Sequence, residues 1–170
     1  MARETKPDQR FIFSSSVSAD TWHPKKDPKA YEWWYFDALS DAGSEAIVIV
    51  FLDNFIYSPR YNRSADGLLR LTQPESFPAV SFTYFAEGKQ VYRVETEFSP
   101  FDFEASESEP RCVIGKSGFR HSSAAYGSGY MVSIDLPLPR GQNLRANLEW
   151  LSIESDLANS PASYTESSHL

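Results

Sequence analysis

The stretch Ala30-Tyr31-Glu32-Trp33-Trp34-Tyr35-Phe36-Asp37-Ala38 constrains this chain more than any other. Four consecutive aromatics follow a carboxylate directly, and the run holds two of the four tryptophans. Large aromatic side chains fit a pleated strand, and no Gly or Pro interrupts this one. Alternation sets Tyr31, Trp33, Tyr35 and Asp37 on one face and Glu32, Trp34, Phe36 and Ala38 on the other. Both faces are bulky. A strand of this kind is expected to be covered on both sides, or to line a cavity that holds an apolar ligand.

At 170 residues the chain has the length of one domain with a sizeable core. Its net charge of −7 excludes a nucleic-acid backbone as the expected partner, because neutralising phosphates takes clustered Lys and Arg. Lys25, Lys26 and Lys29 are the one basic cluster; Asp27 interrupts it, and it reads as a solvated turn. Cys112 is alone, so an intrachain disulfide is excluded and nothing points to an oxidising compartment. Met1 to Arg10 is charged and lacks the apolar centre of a signal peptide, and no apolar run approaches the ~18 residues of a membrane span. The expectation is a cytoplasmic protein without a transmembrane segment, although a form with its leader removed would read the same.

Residues 1–10 are expected to be disordered, 11–153 to form the folded domain, and 154–170 to be a polar, Ser-rich tail. Within the domain, Phe11-Ile12-Phe13 begins a short strand, and the loop of Asp20 to Lys29 leads into the aromatic strand. Ser40 to Ser44 is a hairpin turn, with Gly43 able to take positive φ. Glu45 to Phe55 follows as a strand apolar on both faces, which makes the first hairpin a buried pair. Ala79–Ala86 and Gln90–Phe98 form a second hairpin around Glu87-Gly88-Lys89, and Arg111–Ile114 and Phe119–Ser123 flank a Gly115–Gly118 turn. In the last two strands, Tyr130, Val132, Ile134 and Leu136 share one face, as do Leu144, Ala146, Leu148 and Trp150. No window sustains a 3.6-residue period, so the expected fold class is all-β, an up-and-down antiparallel β-barrel or strongly curved sheet of about eight to ten strands.

Asn54 to Pro78 is the least regular region and carries Phe55, Ile56, Tyr57 and Tyr61. Such a loop is either a flap over a barrel mouth, or a ribbon or short helix that plugs one end. His23, His121 and His169 have no partner at ligand spacing, so no metal is expected. The candidate catalytic group is Glu32. Between bulky apolar neighbours its carboxyl is expected to resist ionisation and to be able to protonate an alkene or enol; the alternative is an ion pair with Arg93 or Arg145. Trp33, Trp34 and Tyr35, with Phe55 and Tyr57, are the candidate substrate-binding residues, because aromatic faces stabilise a polyene or carbocation; plain core packing is the alternative. Only one of Trp33 and Trp34 can point inward, and Glu32 shares the face of Trp34.

The run Tyr31-Glu32-Trp33-Trp34-Tyr35-Phe36-Asp37-Ala38 resembles the signature of the carotenoid 1,2-hydratase (hydroxyneurosporene synthase, AttH-like) family. Phe51-Leu52-Asp53-Asn54, Tyr57-Ser58-Pro59-Arg60-Tyr61, Ile114 to Phe119, Gly129-Tyr130 and Asp135 to Gly141 are similar to further segments of it, and the likeness runs over roughly residues 11–170. The resemblance implies a lipocalin-like barrel and a cofactor-independent hydratase acting on an apolar polyene or terpenoid-like substrate, or a cyclase, since relatives include Diels–Alder catalysts. A lipocalin-like carrier that binds an apolar molecule without chemistry is the other reading. Family members usually continue into a second barrel-like domain, so the resemblance implies an N-terminal domain, partnered by that second barrel or by another copy of itself.

Overall fold

A computed structural model describes residues 16–27, 29–65, 77–124 and 127–152. The expected strand at 11–13 and the segments 1–10 and 154–170 lie outside them. The strands among these residues are β1 Trp33–Leu39, β2 Glu45–Leu52, β3 Ala79–Ala86, β4 Lys89–Glu97, β5 Phe103–Ala105, β6 Arg111–Ile114, β7 Ser117–Ala124, β8 Gly127–Pro137 and β9 Asn143–Ser152. They form a four-stranded sheet in the order β1-β2-β3-β4 and a five-stranded sheet in the order β5-β6-β7-β8-β9. Every neighbouring pair is antiparallel, so the chain is all-β, and within each sheet every strand lies beside the next in sequence. Neither sheet is closed into a barrel among the described residues.

The inner faces of the two sheets make one core. Trp34, Phe36, Ile49, Phe51, Val80 and Phe82 come from the first sheet, and Cys112, Ile114, Phe119, Val132, Ile134 and Leu136 from the second. Phe119 stands at the centre, with ring centroids 5.4 Å from Trp34, 5.1 Å from Phe36 and 5.4 Å from Phe51. These are the tilted and edge-on arrangements that aromatic quadrupoles favour. The face shared by Tyr130, Val132, Ile134 and Leu136 points into this core, as does that of Leu144, Ala146, Leu148 and Trp150.

The hairpin turns fall where Gly and polar residues allow them. Gly43 (φ +70°) turns β1 into β2, and Glu87 (φ +50°) with Gly88 (φ +70°) turns β3 into β4. β1 departs from the expectation of a strand covered on both sides. Trp34 and Phe36 are buried, but Trp33 is 57% and Tyr35 56% exposed. β1 is an edge strand, and no other layer of the described residues covers its outer face, so only the inner row is desolvated.

The irregular region after β2 contains a short helix, α1, at Pro59–Ala65. Ser58 caps it by accepting from Tyr61 N at 2.8 Å, and Pro59 supplies the fixed φ of a first helical residue. Tyr61 is buried and packs on Phe77 at 5.7 Å, and Arg60 pairs with Glu97 of β4. The helix is thereby fastened to the end of the first sheet. Leu68, Leu69 and Leu71 lie outside the described residues.

Candidate functional site

The segment that leads into β1 is held by a set of side-chain bonds. Asp53, fully buried just past β2, accepts from the backbone N–H of Glu32 at 2.6 Å and from the indole of Trp22 at 3.5 Å. Asn54 beside it donates to the Ala30 carbonyl at 2.8 Å. Burial pushes the Asp53 carboxyl up to about 6, against the hydrogen bonds it accepts, and the nearby Glu32 charge adds to the rise. Glu32 itself is clamped from the other side. It accepts from the His23 backbone N–H at 3.0 Å and the His23 ring at 2.9 Å, and it pairs with Lys25 at 3.2 Å. Its partners are therefore His23 and Lys25 of the preceding loop, where Arg93 or Arg145 was the expected alternative. Arg93 pairs with Glu95, and Arg145 with Asp135.

One turn upstream, Val17–Asp20 forms a short 3-10 helix whose last residue reaches the gap between the sheets. The Asp20 carbonyl accepts from the Trp34 indole at 2.8 Å, and its carboxylate accepts from the Tyr130 hydroxyl. Burial, and then the hydrogen bond to the Asp20 carboxylate, push the Tyr130 phenol above its usual range. On the far side, the Trp150 indole donates to the Asp37 carbonyl at 2.7 Å. That bond spans from β9 to β1, an edge strand of each sheet.

These groups enclose a cleft of about 270 Å³ between the sheet edges. The β1 segment Trp33 to Asp37 forms one wall, with the rings of Trp34 and Phe36 on its inner row, Tyr130 and Trp150 form the other, and Asp20 supplies a carboxylate. Phe36 joins the walls, with its ring 5.6 Å from Tyr130 and 5.4 Å from Trp150. Of the sequence-derived candidates, Trp33, Trp34 and Tyr35 line this cleft. Glu32, Phe55 and Tyr57 do not. Phe55 and Tyr57 pack on each other at 6.2 Å, with Tyr57 exposed.

Outside the aromatic strand, Asp20, Tyr130 and Trp150 are the lining residues that the sequence reading did not single out as a site. Two of them left a signal. Tyr130 and Trp150 lie on the inward faces of consecutive strands and are directly opposite in the ladder, a pairing set by the short turn between those strands. Asp20 left none, since it sits in a loop and reaches the cleft only through tertiary packing. Among the described residues no three His, Cys, Asp or Glu side chains cluster as a metal site, and no helix is long and apolar enough to cross a membrane.

No known family profile matches the chain. No solved structure matches it significantly. A segment of 40 residues, 24% of this chain, is 40% identical to a hydroxyneurosporene dehydrogenase from Chlorobaculum tepidum. The match spans only 10% of that protein's length. It gives a loose link to carotenoid enzymes, through a relative whose named activity is not a hydratase.

Proposed function

We propose that this chain binds one end of an apolar, unsaturated, isoprenoid-type molecule in the aromatic cleft, and that it acts on that molecule as a hydratase or cyclase of the carotenoid 1,2-hydratase kind. The observation that carries the reading is the cleft itself: the rings of Trp34, Phe36, Tyr130 and Trp150 around a gap whose polar groups include the Asp20 carboxylate and the Tyr130 hydroxyl. At about 270 Å³ the cleft is smaller than the roughly 300–1,000 Å³ pockets that enclose a whole drug-sized ligand, so a long polyene enters with one terminus. The sequential strand order within each sheet, with Trp150 bridging the first and last strands, is compatible with a lipocalin-like barrel interrupted between β4 and β5 and between β9 and β1. Cys112, a buried free thiol, fits a cytoplasmic setting.

In a hydration, the hydrogen-bonded Tyr130–Asp20 pair delivers a proton to a terminal trisubstituted alkene. The tertiary cation is held against the indole faces of Trp34 and Trp150. Water adds to it, and the proton that water loses returns to the pair, which ends as it began. In a cyclisation the same walls only fold the substrate. Glu32, clamped by His23 and Lys25, positions the segment that carries Asp20.

The test mixes the protein with an acyclic carotene in ¹⁸O-labelled water, and follows the polyene absorption shift for binding and the product mass for chemistry. Trp34→Ala and Trp150→Ala should abolish the absorption shift. Asp20→Asn should keep the shift and lose ¹⁸O incorporation, while Glu32→Gln should weaken both. Binding by the wild type with neither label nor cyclised product would make the protein a carrier. An absorption shift unaffected by either tryptophan change would remove the cleft as the site.

A further inference from the structure

The outer face of the five-stranded sheet carries a second depression, of about 220 Å³, independent of the cleft just described. Its centre is Gly118 of β7, which stands directly opposite Val113 on one side and Ser133 on the other. Where those neighbours raise side chains, Gly118 has none, and a Cβ there would lie 2.7 Å from the Cys112 carbonyl oxygen. The gap is built into the sheet by a position that only glycine fits.

Two arginines stand at its rim. Arg111 of β6 and Arg120 of β7 are directly opposite each other in the ladder, an arrangement that costs stability for like charges unless an anion lies between or beside them. Glu104 answers Arg111, with an N–O distance of 2.6 Å. No carboxylate among the described residues pairs with Arg120; its guanidinium N–H contacts the Met131 sulfur at 3.3 Å, a weak acceptor. Asn147 and Ser133 complete the polar rim across β8 and β9. A planar five-donor cation with no acidic partner among the described residues, in a chain of net charge −7, is thus set beside a hollow rimmed by Asn147 and by Ser133, whose hydroxyl donates to the Gly118 carbonyl at 3.4 Å.

We infer that this depression binds a small organic oxyanion, a carboxylate or phosphate monoester, with Arg120 holding the charged group and the hollow over Gly118 taking the compact apolar part. Arg111, already neutralised, supports the field at the rim. The ligand is small because the hollow is; a long acyl chain has nowhere to lie within it.

Two-dimensional NMR of the ¹⁵N-labelled chain, titrated separately with benzoate, phenyl phosphate and inorganic phosphate, tests this. Benzoate or phenyl phosphate should give saturable, millimolar shifts centred on the amides of Gly118, Arg120, Ser133 and Asn147, with inorganic phosphate weaker. Which of the two organic anions binds more tightly tells the carboxylate from the phosphate source. Arg120→Gln should weaken binding about tenfold or more, as expected for losing a charged hydrogen-bond donor. Arg145→Gln, on the same sheet face but outside the hollow, should leave it unchanged. Filling the hollow by Ser133→Phe on the exposed rim should block benzoate. The inference fails if no shift saturates, if inorganic phosphate binds as tightly as benzoate and phenyl phosphate, or if Arg120→Gln and Arg145→Gln act alike. It is separate from the cleft reading, since neither set of variants touches the other site.

Discussion

Asp53 joins two functions in one side chain: it fixes where β1 starts and it carries a proton. Its folded value of about 6 lies above the ordinary 3.8, so the folded state holds the proton more tightly than the unfolded chain does. Stability from this group is therefore complete below about pH 4 and is lost as pH rises toward and through about 6. Two units correspond to about 3 kcal/mol. Asp53→Asn cannot ionise, so the stability difference between wild type and variant should move against the wild type by about that amount between pH 4 and pH 7. Urea unfolding of both proteins across this range measures it. Parallel pH profiles would mean that the carboxylate is solvated when charged. Nothing in the sequence marks Asp53 for this role, because its burial depends on Trp22 and Glu32 arriving from a different segment.

At the scale of the element, β1 divides cleanly into an inner and an outer row. Phe36→Ala opens a cavity among Phe51, Phe119, Tyr130 and Trp150, and should cost about 3–5 kcal/mol. Trp33→Ser and Tyr35→Ser, on the exposed row, should each stay within about 0.5 kcal/mol of wild type by denaturant unfolding. Their effect, if the cleft is the site, belongs to ligand binding. Period-two alternation was enough to sort these residues into rows, and the pairing of β8 with β9 followed from two inward-facing patterns around a short turn. What alternation does not contain is which row meets another layer. Tyr31, Trp33 and Tyr35 suggested a covered face by their type alone, and the covering depends on a strand order that only tertiary structure supplies. α1 was legible in part: Ser58-Pro59 is a helix-start signal, but the helix is too short for a periodicity to show. β5 was hidden by its three-residue length and the acidic, Pro-flanked stretch around it.

For the whole molecule, the two sheets behave as a sandwich of meanders with one side-chain seam. Ser40 N donates to Glu45 O and Asp53 N to Glu32 O, so the even-numbered residues of β1 bond to β2. The N–H and C=O groups of Trp33, Tyr35, Asp37 and Leu39 then turn to the free edge, where the Trp150 indole takes up the Asp37 carbonyl. Trp150→Phe keeps one aromatic ring and removes the donor. It should lower stability by about 1 kcal/mol on thermal or urea unfolding, in the range of a single neutral hydrogen bond. A loss several times larger would mean that the seam also carries core packing that phenylalanine cannot restore.

The bridge through Trp150 has a consequence for how long individual amide protons survive in heavy water. Along β1, protection against exchange should alternate residue by residue, with Trp34 and Phe36 slow because their N–H groups lie in the ladder. Trp33, Tyr35 and Leu39 should be fast. Exchange at the fast sites needs no global unfolding, because their N–H groups lie outside the β1–β2 ladder. The edge of β1 is tied to β9 by the Trp150 indole on the Asp37 carbonyl, and release of that one bond would open a passage from solvent to the aromatic core with the β1–β2 ladder intact.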